Sequence, residues 1–242
     1  STSPTCQQDG AARGRGNGDG TCTMSTVSTA TVGELSEDEI AGLLWMREEE
    51  QLAHDVYVAL GEQWDVPVFT NIAASESKHV DSVKQLLDLY GIADPAAGNP
   101  AGTFTDPTLQ AMYDTLVADG SESLVAALTV GATIEELDIR DLRDRVTVTD
   151  ESAILAVYAN LERASNNHLA AFVRELSALG VEFEPAYLDA DDVDAIVADT
   201  DRGAANGPGT GNGQGAGNGG QRSNGSGNRP GNQAHTPGTG RR

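Results

Sequence analysis

Three of the four histidines in this sequence, His54, His79 and His168, interrupt stretches in which apolar residues recur every three or four positions. Glu50, Glu76 and Glu135 interrupt the same lines. Ionisable groups are expensive to bury alone, so carboxylates and imidazoles on inward stripes require one another, or a metal ion, as partners. Glu76 and His79 stand three apart, the spacing at which one helix face offers an oxygen and a nitrogen donor together. Glu50, His54 and Tyr57 follow i, i+4, i+7 spacing on the apolar side of one helix, with Glu48 and Glu49 expected to turn toward solvent. Glu50 is the candidate ligand there; His54 is a second ligand or a hydrogen-bonded core histidine, the latter reading preferred.

In the string IEELDI, counting ~100° per residue places Glu135 near the middle of the apolar face and Glu136 to one side. Asp138, one turn on, is a candidate neighbour, and a phase error of one residue would exchange Glu135 for Glu136. His168 has Ser165 three residues before it, where a repeat of the Glu76/His79 spacing would need a carboxylate; Glu162 lies about a turn further back and faces partly away. Oxygen and imidazole donors without cysteine favour iron or manganese, or zinc, over soft-metal thiolate chemistry, with one or two ions held. The competing reading is a buried network of Glu/His and Glu/Tyr pairs that needs no ion.

Four long helical segments must position these groups. The first opens with Ser36 and Glu39 at capping-box spacing and runs to about Trp64, with Ile40, Leu43, Leu44, Met46, Ala53 and Val58 on one face. The second follows Pro67 and stops at Gly91, its inward line being Ile72, Glu76, His79, Val83, Leu86 and Tyr90. After an irregular stretch, Asp106 and Pro107 open a short connecting helix. The third long helix is expected from near Ser121 to about Arg145, burying Leu124, Leu128, Ile134 and Leu142. A fourth is expected from near Asp150 to Gly180, burying Ile154, Tyr158, Leu161, Ser165, His168, Phe172 and Leu179. A last short helix is expected around Asp191 to Asp199. No strand-period segment competes, so the class is all-α, and two helix pairs joined by a longer connection suit an antiparallel four-helix bundle with an extra short helix in the crossover.

Both ends fall outside this pattern. Residues 1–33 and 201–242 are rich in Gly, Asn, Ser and Thr and carry too few apolar groups to offset ordering entropy, so they read as a flexible N-terminal segment and a disordered tail flanking a bundle at 34–200. The net charge of −22 becomes more negative still in the bundle, because the two ends carry more arginines than acidic residues. A surface of that sign repels nucleic acid and anionic membranes, and no apolar run is long enough for a membrane span. Cys6 and Cys22 in the N-terminal segment suit a disulfide in an oxidising compartment, and a chain beginning with Ser fits a removed signal peptide or a trimmed product, so an extracytoplasmic, secreted or cell-surface location is expected.

The strings MREEEQLAHDVY, FTNIAASESKHVDSVKQLLDLYGI, GSESLVAALTVGATIEELDIRDL and NNHLAAFVREL, spanning about Leu35 to Tyr187, resemble the ferritin-like superfamily, and within it a microbial ferritin-like domain family of unknown function. The resemblance implies a Glu from one helix of each pair and an ExxH motif from the next: Glu50 with Glu76 and His79 in the first half, and Glu135 or Glu136 with His168 in the second. Ser165 departs from that pattern, which leaves a mononuclear site, an asymmetric dinuclear one, or a carboxylate or imidazole supplied by Asp138 or His54. The resemblance supports fold and metal more than reaction, and the functions that compete on the site's chemistry are a non-haem iron or manganese oxidase or peroxidase using dioxygen or hydrogen peroxide, or a non-catalytic metal-binding or structural surface protein. A small homo-oligomer is compatible with either.

Overall fold

The computed structural model describes residues 33–205, so the Gly/Asn-rich tail, His235 and the Cys6 and Cys22 pairing lie outside the described residues. Among these residues there are six helices and no strand: α1 (Glu37–Trp64), α2 (Pro67–Tyr90), α3 (Pro107–Gly120), α4 (Leu124–Val146), α5 (Ser152–Ala178) and α6 (Ala190–Ala205). Described residues up to Thr200 belong to one compact unit; of the unit that begins at Asp201 only the end of α6 is described.

The helix ends follow local chemistry. Ser36 and Glu39 form a reciprocal capping box, each side chain bonding the other's backbone N–H. Gly91 ends α2 at φ 68°, a left-handed conformation that costs glycine nothing. Asp106 accepts from the Thr108 and Leu109 amides to open α3. Ser123 caps α4, which therefore starts slightly later than apolar spacing indicates, and α6 is longer than expected.

α1 packs along α2, and α4 along α5, while α1 also meets α4 and α2 meets α5. Two apolar clusters fill the space between them. One gathers Leu52, Val56, Phe69, Ile72, Leu128 and Phe172; the other gathers Leu43, Met46, Val83, Leu142, Ile154 and Leu161. Every long helix passes from one cluster to the other, and the order reverses between α1 and α2 and again between α4 and α5, so the two members of each pair run in opposite directions. Gly131 permits a close approach of α4 to α5: a Cβ there would lie 2.5 Å from the Phe172 ring.

Two apolar positions expected to be inward are not. Val58 is 40% exposed on α1, and Leu179, 49% exposed, is the C-cap residue just past the end of α5. Conversely, Glu48 and Glu49, expected in solvent, are only 3% and 4% exposed. The cause is the α2–α4 connection, which runs along α1. Arg47 pairs with Asp94 at 3.1 Å, Glu48 accepts from the Thr105 and Asp106 amides, Asp55 accepts from the Gly102 amide, and Trp64 and Gln63 donate to the Gly120 and Ser121 carbonyls. Glu49 turns instead toward α4, with the Trp45 indole donating to it at 3.0 Å.

Candidate metal centre

Between the two apolar clusters each long helix contributes polar residues: Glu50 from α1, Glu76 and His79 from α2, Glu135 and Asp138 from α4, Ser165 and His168 from α5, all buried. α2 supplies two of them from a single turn because i and i+3 share a face. Apolar packing on both sides of this layer fixes its height in the molecule and buries its carboxylates, while the His79 and His168 side chains stay 10% and 11% exposed.

Glu76 is the centre of the arrangement. Its Oε2 lies 2.7 Å from His79 Nδ1 and its Oε1 lies 2.8 Å from His168 Nδ1, so one carboxylate touches both imidazoles. Glu50 Oε2 approaches His79 Nδ1 at 3.3 Å, and Glu135 Oε2 approaches His168 Nδ1 at 3.5 Å. The two rings stack at 5.5 Å between centroids, with 24° between their planes. Two triads result, Glu50/Glu76/His79 and Glu76/Glu135/His168, each with donor atoms within 4.8 Å of one another. Tyr57 donates to Glu135 Oε1 at 2.6 Å and lies 3.2 Å from the Gly131 carbonyl, which leaves Oε2 of Glu135 as the oxygen facing His168.

The electrostatics follow from burial and from these neighbours. Burial pushes the Glu76 carboxyl up, but the His168 and His79 imidazoles outweigh it and hold it down to about 2. Burial lowers both imidazoles, yet Glu50 and Glu76 raise His79 to about 11, and Glu135 and Glu76 raise His168 to about 10. Without an ion, two imidazolium charges therefore stand among the carboxylates. Glu50 and Asp138 are pushed well above the ordinary carboxylate range, first by burial and then by neighbouring negative charge, and Glu135 is raised by burial as well.

The donor set fits a metal ion on a second ground. Glu50 Oε1, Glu76 Oε1, Asp138 Oδ1 and His168 Nδ1 are buried and make no hydrogen bond. The 2.8 Å approach of His168 Nδ1 to Glu76 Oε1 lacks hydrogen-bond angles, so without an ion the contact is an ion pair between imidazolium and carboxylate, and loss of the Nδ1 proton would turn that nitrogen's lone pair toward the same space as the carboxylate oxygen. Buried polar atoms left this way cost about 1–3 kcal/mol each unless another partner engages them. Carboxylate oxygen and imidazole nitrogen suit iron, manganese or zinc.

The remaining candidates lie elsewhere. His54 Nδ1 sits 2.8 Å from Asp55 Oδ1, and Asp55 in turn holds the Gly102 amide at 2.7 Å, so this histidine supports the crossover. Glu136 is buried outside the two triads; its carboxylate accepts from the backbone amides of Ala186, Tyr187 and Leu188. Glu162 pairs with Arg143 at 2.8 Å. Sequence reasoning missed the buried Glu49, whose carboxyl burial and then Asp138 and Asp141 push well up; no periodicity marks it, since its burial depends on α4 packing beside it.

Residues 39–200 match the protein family described as an uncharacterized protein domain, DUF2202. The uncharacterized protein MJ0754 of Methanocaldococcus jannaschii is 44% identical over 181 residues, which is 74% of this chain and 98% of that protein. The crystal structure of the hypothetical protein MJ0754 from Methanococcus jannaschii is similar at a TM-score of 0.67 and 44% identity, covering 69% of this chain and 95% of that one.

Proposed function

We propose that this chain, which belongs to the DUF2202 family, is a ferritin-like metalloprotein whose four long helices form an antiparallel bundle holding iron or manganese at its centre. The observation that carries the reading is Glu76 lying between two imidazoles, with Glu50 and Glu135 completing a triad on either side. A structural ion-pair network has no need to leave four buried donor atoms without hydrogen bonds.

In this reading Glu50, Glu76, Glu135, His79 and His168 would hold the ions, the imidazoles of His79 and His168 turning Nδ1 toward Glu76. Glu76 offers one oxygen to each half. Tyr57 orients Glu135 by donating to its other oxygen, and the apolar clusters pack above and below. Bound iron or manganese supplies one-electron chemistry toward dioxygen or hydrogen peroxide, which makes an oxidase or peroxidase the favoured activity over simple metal retention. Zinc would fit the same donors without that chemistry. No cysteine lies in the bundle, so electrons would come from an external donor. An extracytoplasmic location and a small homo-oligomer belong to the same proposal, the former supported by Cys6 and Cys22. Among the described residues no helix is long and apolar enough to cross a membrane.

The test is reconstitution of the purified chain with iron, manganese and zinc in separate samples, followed by elemental analysis and assays of oxygen and peroxide consumption. Retained iron or manganese with turnover supports the enzyme, and retention without turnover supports a binding protein. No retained metal favours an ion-free network of Glu76 with two imidazolium groups. Glu76→Ala and His168→Ala are expected to lower metal content while helicity stays.

A further inference from the structure

The two helix pairs supply the centre unequally. α1 and α2 bring Glu50, Glu76 and His79, whereas α4 and α5 bring Glu135 and His168, with Ser165 where α5 would match Glu76. Ser165 is nonetheless fully engaged. Its hydroxyl, buried at the α4/α5 contact, lies 2.5 Å from Asp138 Oδ2 and 3.0 Å from the Leu161 carbonyl. A hydroxyl has one proton, and the carboxylate oxygen is the nearer and stronger acceptor.

That contact leaves Asp138 in an unusual condition. The residue is 5% exposed, its Oδ1 makes no hydrogen bond, it stands beside the two triads and not within either, and its charged neighbours include Glu50, Glu135, Glu76 and Glu49. It stands three residues after Glu135 on α4, the same spacing as Glu76 and His79 on α2. Resting on the metal-site reading above, we infer that Asp138 is a further metal ligand, the carboxylate missing from α5 having been moved across to α4, and that Ser165 is the positioning residue that holds it.

Charge supports the same assignment. Two divalent ions carry four positive charges, and with neutral imidazoles Glu50, Glu76 and Glu135 supply three negative ones. Asp138 brings the buried site to neutrality, which is what a low-dielectric interior favours. With an ion bound, rotation of the Asp138 side chain toward Glu135 and His168 would fill the gap that Ser165 leaves in the α5 motif.

The experiment uses the full chain reconstituted with manganese(II) and, separately, iron(II), with metal per chain measured by elemental analysis and the affinity for each ion by competition with a chelator. Asp138→Asn, isosteric with the native residue, is expected to hold one ion instead of two. Ser165→Ala is expected to hold two, the second more weakly by about 10- to 100-fold, with the first unchanged. Far-UV circular dichroism checks folding; should Asp138→Asn unfold, the second-ion affinity of Ser165→Ala decides. Two ions at native affinity in Asp138→Asn, an unaltered second ion in Ser165→Ala, or a single ion in the unsubstituted chain overturns this inference and leaves the metal reading standing. No ion in the unsubstituted chain overturns both.

Discussion

Two sets of buried carboxylates can be compared in this molecule. Glu48, Asp55 and Glu136 point at loops and have their oxygens occupied: Glu48 by the Thr105 and Asp106 amides, Asp55 by the Gly102 amide and the Gln51 amide group, Glu136 by three successive amides at 186–188. Glu50, Glu76, Glu135 and Asp138 point at one another and at two imidazoles, and three of them keep an oxygen without a hydrogen bond. The sets interleave in the sequence, Glu48 two residues before Glu50 and Glu135 beside Glu136. Residue type and burial are the same in both; what differs is whether donors already saturate the charge. Saturated carboxylates hold the crossover and the 186–188 segment in place, and unsaturated ones are available for chemistry.

The largest effect that would sharpen this contrast is expected at Glu136. Glu136→Ala should leave three backbone donors in a buried place without their acceptor and cost about 3 kcal/mol or more in urea unfolding, while metal content per folded chain stays as in the native protein. Glu48→Ala is expected to behave the same way at about 2 kcal/mol, since two amides lose their partner. A loss of metal in either, with stability intact, would break the division between the sets.

A smaller effect is expected at the centre in the absence of metal. Burial favours the protonated form of Glu50, so Glu50→Gln imitates that form and should change metal-free stability by no more than about 1 kcal/mol while lowering metal affinity. Chemical denaturation with a chelator present, set beside a metal titration, separates the two responses.

The pH dependence should differ in the same sense. Glu76 is held down to about 2, so its contribution to stability is complete above its ordinary value of 4.5 and is lost as pH falls toward 2. His79 and His168 are raised to about 11 and about 10, so their contribution is complete below the ordinary 6.5 and is lost as pH rises through those values. Burial and neighbouring negative charge raise Glu50 and Asp138, so they too make stability fall as pH rises above the ordinary carboxylate range. The metal-free protein is therefore expected to be most stable between about pH 4.5 and 6.5. Metal binding displaces protons from the imidazoles and should move the optimum upward, which thermal melts at pH 5.5 and 8, with and without manganese, would show.

Much of this was legible from the sequence because it depends on helix period and end chemistry. The all-helical class, the Ser36/Glu39 box, the Gly91 stop and the Asp106 cap are local, and each is present. The inward placement of Glu76 and His79 follows from their position between Ile72 and Val83 on one strongly amphipathic helix. What local pattern could not give is what covers a helix from outside. Glu48 and Glu49 look like a solvent face until the crossover is laid along α1 and α4 is packed beside it, and Glu136 looks peripheral until residues 186–188 close over it. The role of Ser165 was also out of reach, since its partner Asp138 is 27 residues away on another helix.

The measurement that tests the account most directly is metal content in two variants of adjacent residues, Glu135→Gln and Glu136→Gln, reconstituted side by side with manganese and with iron. Glu135→Gln is expected to lose metal while keeping near-native stability, and Glu136→Gln to keep its metal. Equal retention in both, or loss confined to Glu136→Gln, would contradict the assignment of the centre.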